Sequence, residues 1–120
     1  MAKDPTDNQD VVRVRALALV LPSAEEKPHF EQSSFRVKNK IFATVGRQPG
    51  RCVVKLSAAD REALLATHPD RFHDVGWAAQ GWLGVSLDGL PDARLAELLT
   101  AAWRQVASAT LVKAHPELAP

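Results

Sequence analysis

The stretch from Ser34 to Leu56, SFRVKNKIFATVGRQPGRCVVKL, decides the fold. Apolar and polar residues alternate in short runs over Ser34–Lys38, Ile41–Val45 and Arg51–Leu56. That is the period at which a strand buried on one face presents its side chains. Asn39-Lys40 reads as a two-residue hairpin loop, because Asn accepts the left-handed backbone such a loop requires. Gly46–Gly50 (GRQPG) reads as the next turn. Connections this short force antiparallel pairing, since a parallel crossover needs about a dozen residues or more.

A loop at 39 and 40 sets Lys38 opposite Ile41, Val37 opposite Phe42 and Arg36 opposite Ala43. Phe35, Val37 and Phe42 are then expected on the buried face with Cys52, Val54 and Leu56. Arg36, Lys38, Arg51 and Lys55 are expected on the other. A slip of one residue would exchange the faces.

Outward from this hairpin, helical patterns flank the strands. A first helix is expected from Thr6 or Asp7 to about Leu21, with Asp7 and Asp10 near its positive end and Val11, Val14, Leu17, Ala18 and Leu21 as its apolar stripe. Pro22–Gln32 reads as a loop. Ser57 is a good N-cap for a second helix, with Asp60 placed to reciprocate, and Pro69 ends it. A short strand near Arg71–Val75 and another over Trp82–Leu87 follow. The last helix starts at Pro91 and carries Leu95, Leu98, Leu99, Ala102 and Val106 at helical spacing, with Trp103 bordering the stripe. The order α-β-β-β-α-(β)-β-α indicates an α+β two-layer sandwich, an antiparallel sheet with helices packed on one face. One domain over residues 1–120 is expected, with 1–5 and 109–120 as loosely ordered ends.

Charge is segregated. Residues 27–55 hold Lys27, Arg36, Lys38, Lys40, Arg47, Arg51 and Lys55 against Glu31 alone, a net of 7 − 1 = +6. The chain as a whole carries only +1. A concentrated basic hairpin suggests an anionic partner, and phosphate contacts there would make affinity fall steeply with salt. The competing reading is that an open sheet face carries charge for solubility and protection of its edges.

The motifs LPSAEEKPHF, SFRVKNKIFATV, VVKLSAADREALLATHPDRF and GWAAQGWLGVSLDG, in this order and followed by a Leu-rich helix, resemble the YjbR/MmcQ-like family. The resemblance spans about Val11 to Val106. It implies a fold similar to the frataxin-like (CyaY) architecture, with what is described as a double-wing DNA-binding motif. It also implies Lys27, Arg36, Lys38, Lys40 and Lys55 as nucleic-acid contacts; Arg51 joins them from the strand pattern. Lys40 stands where the family pattern usually has Gly after the hairpin Asn. Iron binding of the frataxin type does not carry over, since only Asp7 and Asp10 precede the basic Arg13 and Arg15.

Other chemistry finds little support. His29, His68, His73 and His115 lack metal-ligand spacing, and Cys52 is alone, in an apolar strand pattern that predicts a buried, inert thiol. There is no phosphate-binding loop, GxGxxG or GxSxG. The expectation is a non-enzymatic, cytoplasmic DNA-binding protein without cofactor, metal or membrane partner, a monomer or weak homodimer. The start, MAKDPTDNQD, is acidic rather than leader-like, and the apolar run Ala16–Leu21 is too short to span a bilayer. The alternative is a small-molecule or protein-partner module. Its pocket would lie between the KPHF loop and the Trp77/Trp82 loop, lined by His29, Arg71, Trp77, Gln80 and Trp82.

Overall fold

The computed structural model describes residues 8–76 and 80–118. The chain opens with helix α1 (Gln9–Ala18), capped by Asn8, whose Oδ1 accepts from Asp10 N at 2.8 Å. The expected start at Thr6 or Asp7 lies outside the described residues. Val11, Val14 and Ala18 are buried. The helix stops three residues before the expected Leu21, because Pro22 disfavours helical backbone in the residue before it.

Strand β1 (Glu25–His29) forms inside the stretch read as a loop and pairs with β2 (Gln32–Val37). Its sequence, EEKPH, shows no apolar alternation because β1 is an edge strand, where Pro28 is tolerated. Strands β3 (Lys40–Val45), β4 (Arg51–Lys55), β5 (Phe72–Asp74) and β6 (Trp82–Ser86) complete a six-stranded sheet of order β1-β2-β3-β4-β6-β5, antiparallel at every pairing.

The β2–β3 register corrects the expected loop. The turn is Lys38-Asn39, with φ of 47° and 67°, and Val37 pairs with Lys40 rather than with Phe42. That two-residue shift keeps Phe42 on the core side. A β-bulge then changes the phase by one: Phe35 pairs with Ala43 and Arg36 with Ile41, leaving Phe42 as the extra residue, so that Ala43 and Val45 join it in the core. Phe42 and Ala43 are therefore both fully buried. The expected burial of Phe35, Val37, Phe42, Cys52, Val54 and Leu56 is found, reached by a different register.

Helix α2 (Ala58–Thr67) starts at Ser57, whose Oγ accepts from Asp60 N at 3.2 Å. Helix α3 (Asp92–Val106) buries Leu95, Leu98, Leu99, Ala102 and Val106 as its spacing predicts, and Trp103 completely. Trp103 Nε1 donates to the Pro22 carbonyl at 2.9 Å and so ties α3 to the segment after α1. The core lies between the sheet and the layer formed by α1 and α3, with α2 set against β5. The tail after Ser108 forms a short helix, α4 (Ala109–Ala114), and a closing turn whose Leu118 carbonyl accepts from Arg104.

Gly81 fixes where β6 begins. Its φ is +83°, its carbonyl accepts from Leu56 N at 2.9 Å, and a Cβ there would lie 2.1 Å from the Leu56 carbonyl oxygen. Only glycine meets both demands. The fold is the expected α+β sheet with helices against it, with β1 and α4 added to the expected elements.

Candidate nucleic-acid interface

Strand alternation sorts the charges between the two faces of the sheet. Glu26 pairs with the buried Phe35, so it faces the helices, whereas Glu25, Lys27 and His29 face away. By the same parity Arg36 on β2, Arg51, Val53 and Lys55 on β4, Trp82, Gly84 and Ser86 on β6, and His73 on β5 share the open face. One cross-strand row there runs Lys27, Ser34, Thr44, Val53, Gly84, His73, over all six strands.

Of the six expected contacts, four are brought to this face: Lys27, Arg36, Arg51 and Lys55. Lys38 sits instead at the hairpin tip. Lys40 pairs with the buried Val37, which turns it toward the helix side at the margin of the sheet. Arg36 is held in place: Nε donates to Ser34 Oγ at 2.8 Å and Nη1 to Asn39 Oδ1 at 3.0 Å. Ser34 Oγ in turn donates to the Lys27 carbonyl at 2.8 Å. Lys55 Nζ lies 5.9 Å from the centroid of its cross-strand partner Trp82, within range of a cation–π attraction. Among the described residues none of these cations, nor Lys38, Lys40 or Arg47, lies in an ion pair.

A groove of about 860 Å³ lies on the same face. Thr44, Val53 and Gly84 form part of its floor; His29, Phe30, Arg47 and Arg51 border it on one side and Gln80 and Trp82 on another. Of the residues expected to line a pocket between the KPHF segment and the tryptophan loop, His29, Gln80 and Trp82 border this groove, on the face that carries the basic residues. Arg71 is not brought to it: Nη1 donates to the backbone carbonyl of Ser86 at 2.8 Å and also to that of Asp88. Trp77 lies outside the described residues.

Sequence reasoning missed Phe30 and His73. Phe30 is 78 % exposed and occupies a Phe30-Glu31 turn with φ of 49° and 67°. Its ring stands edge-on to His29, centroids 4.7 Å apart. Reading KPHF as a loop hid the turn that presents this ring. His73 Nε2 meets Ser86 Oγ at 2.6 Å. Burial above all, and then the charge of Arg51, hold its imidazole below the ordinary histidine pKa, against an opposing pull from Asp70.

Cys52 is buried, and burial pushes its thiol up to about 12, so it is no nucleophile. Among the described residues no three His, Cys, Asp or Glu side chains converge as metal ligands, and no helix is long and apolar enough to cross a membrane.

Comparison with known proteins agrees with this geometry at the level of the fold. No curated protein matches the chain. The crystal structure of the Deinococcus radiodurans protein DR2400, described by the domain label DUF419, is similar at 27 % identity and a TM-score of 0.73. The similarity covers 98 % of this chain and 91 % of that one. The YjbR family model matches residues 19–105, which takes in all six strands and α2 and ends within α3. The chain belongs to the YjbR family.

Proposed function

We propose that the protein binds nucleic acid, DNA in the first instance, through the open face of its sheet, without catalysing a reaction on it. The observation that carries this reading is the contrast in charge pairing. Four arginines of the helices are neutralised: Arg13 by Asp92 at 2.7 Å, Arg15 by Glu26 at 2.6 Å, Arg61 by Asp74 at 2.9 Å and Arg94 by Glu97 at 2.9 Å. Lys27, Arg36, Arg51 and Lys55 have no such partner among the described residues. Cations collected on one rigid surface and left unpaired favour a polyanion. Kinship with the YjbR family, for which a double-wing DNA-binding motif on a CyaY-like fold is described, supports the same partner. In this reading Lys38 and Lys40, at the hairpin tip and the sheet margin, reach phosphates beside the face rather than on it.

Fluorescence anisotropy with labelled DNA at low and moderate salt tests the proposal. Affinity should fall with salt by a slope of about 0.7 to 0.9 per phosphate neutralised. The double variant Arg36→Glu/Lys55→Glu should lose binding while its melting transition is retained. Absent or salt-insensitive binding refutes the proposal.

The groove beside His29 and Trp82 favours a second reading, a module for a small flat ligand. It predicts saturable thermal stabilisation by that ligand with little dependence on salt.

A further inference from the structure

We propose that the groove across the open face takes single-stranded nucleic acid, bases stacking on Phe30 and Trp82 while Arg47 and Arg51 hold phosphates. The inference rests on the nucleic-acid reading above and specifies which form is bound.

Phe30 is the first support. A two-residue turn with φ of 49° and 67° suits Asn or Gly, and a bulky aromatic side chain is a poor occupant of left-handed backbone. At 78 % exposure Phe30 also gains little from burial. A residue that is strained and yet contributes little to the core points to a role outside folding. Its ring borders the groove, supported at its edge by His29.

Trp82 is the second. It lies half-buried on the open face of β6 and lines the same groove. Its indole is within reach of Lys55 Nζ, which sets a cation beside a ring able to receive a base. Thr44, Val53 and Gly84 supply small, neutral floor positions, and Asp74, the one acid in the lining among the described residues, is paired with Arg61. No larger side chain fits at Gly84, since a Cβ there would meet Val75 Cγ1 at 3.0 Å and His73 Cβ at 3.3 Å on this face. Arg47 and Arg51 are exposed at its border.

Stacking discriminates between forms of nucleic acid. In a duplex each base face is already covered by its neighbours, so exposed protein rings gain nothing there. An unpaired strand offers every base face, and a positively charged groove with aromatic platforms is the arrangement that holds it. Side-chain readout of a duplex needs a protruding helix or ribbon that fits a major groove about 12 Å wide. Here two of the cations border a recess.

The test compares a labelled oligothymidylate of about 12 nucleotides with a duplex of equal phosphate number, at one low salt concentration. The single strand is expected to bind at least roughly tenfold more tightly. Phe30→Ala should weaken it by about fivefold or more and leave duplex affinity unchanged, while Phe30→Tyr keeps both. Phe30 is exposed, so these variants should melt like the parent; Trp82→Leu repeats the test at the other ring. Equal affinity for both forms, unaffected by Phe30→Ala yet abolished by Arg36→Glu/Lys55→Glu, overturns stacking and leaves the basic-face reading standing. Failure of both forms to bind overturns both.

Discussion

The two faces of the sheet use the same kinds of residue in opposite ways. Toward the helices, arginines lock the fold: Arg15 grips both Glu26 oxygens, and the buried Arg61 reaches the Trp82 carbonyl at 2.8 Å as well as Asp74 and Glu62. On the open face Arg51 and Lys27 are exposed and no acid closes on them among the described residues. A buried cation must be paired to be tolerated, whereas an exposed one is kept hydrated by water and stays available to a partner. The same guanidinium is tied into the fold on one side of the sheet and, among the described residues, left without an acid on the other.

Substitutions on the helix side should disturb folding and those on the open face should disturb binding. The largest effect is expected from Trp103→Ala, which empties a fully buried indole site and removes the hydrogen bond to Pro22. A loss of about 3–5 kcal/mol in denaturant unfolding is expected, with the proposed nucleic-acid binding unchanged in the remaining folded fraction. Gly81→Ala should follow at on the order of 3 kcal/mol, from positive φ and the clash with the Leu56 carbonyl together. Because Gly81 adjoins Trp82, this variant should also weaken the proposed binding after correction for folded fraction; an unchanged binding curve would remove Trp82 from the proposed surface.

Glu26→Gln should cost about 1 kcal/mol near neutral pH. The parent should also show a pH dependence that the variant lacks. The Arg15 hydrogen bond is the chief reason the Glu26 carboxyl sits below its ordinary pKa, with Ser33 and the Arg15 charge adding to it against the cost of burial. A carboxylate with a lowered folded pKa stabilises the fold above the unfolded value, about 4.3, and that contribution is lost as pH falls through the folded value. Stability of parent and variant should therefore converge in acid; parallel curves from pH 7 to 2 would show that the pair does not act as described. A small stability effect, at most about 1 kcal/mol, is expected from Arg36→Glu/Lys55→Glu on the open face, where Arg36 gives up its hydrogen bonds to Ser34 and Asn39 and Lys55 its place over Trp82. A larger loss would mean these side chains belong to the fold, and the distinction between faces would fail.

Much of the fold was legible because its signals are local. Ser57 announced α2 through a cap that its own side chain makes, and Leu95, Leu98, Leu99 and Ala102 marked the buried stripe of α3. Strand β1 was hidden because an edge strand with one rung of neighbours needs no apolar alternation. The hairpin register was misread for a related reason. Asn39 signals a turn but does not say whether it is the first or second residue of it; the two choices shift the register by two residues and leave the same side chains facing the core, so face patterning does not separate them.

The candidate face was legible in part. The charge excess was visible, and alternation placed Arg36, Arg51 and Lys55 together. Phe30, Thr44, Gly84 and His73 join them only because four other strands lie beside β2 and β4 in the order the sheet adopts.

The sequence alone determined the fold class, most of the core and the gathering of positive charge on the hairpin, because periodicity, capping and charge act over a few residues. The tertiary structure decided the sheet order, the bulge at Phe42 that brings Ala43 and Val45 into the core and the meeting of Phe30 with Trp82 across one groove. Those depend on strand pairing between residues far apart in the chain, where competing registers differ by little in local energy. The shared core selects among them, and that selection cannot be read from any single segment.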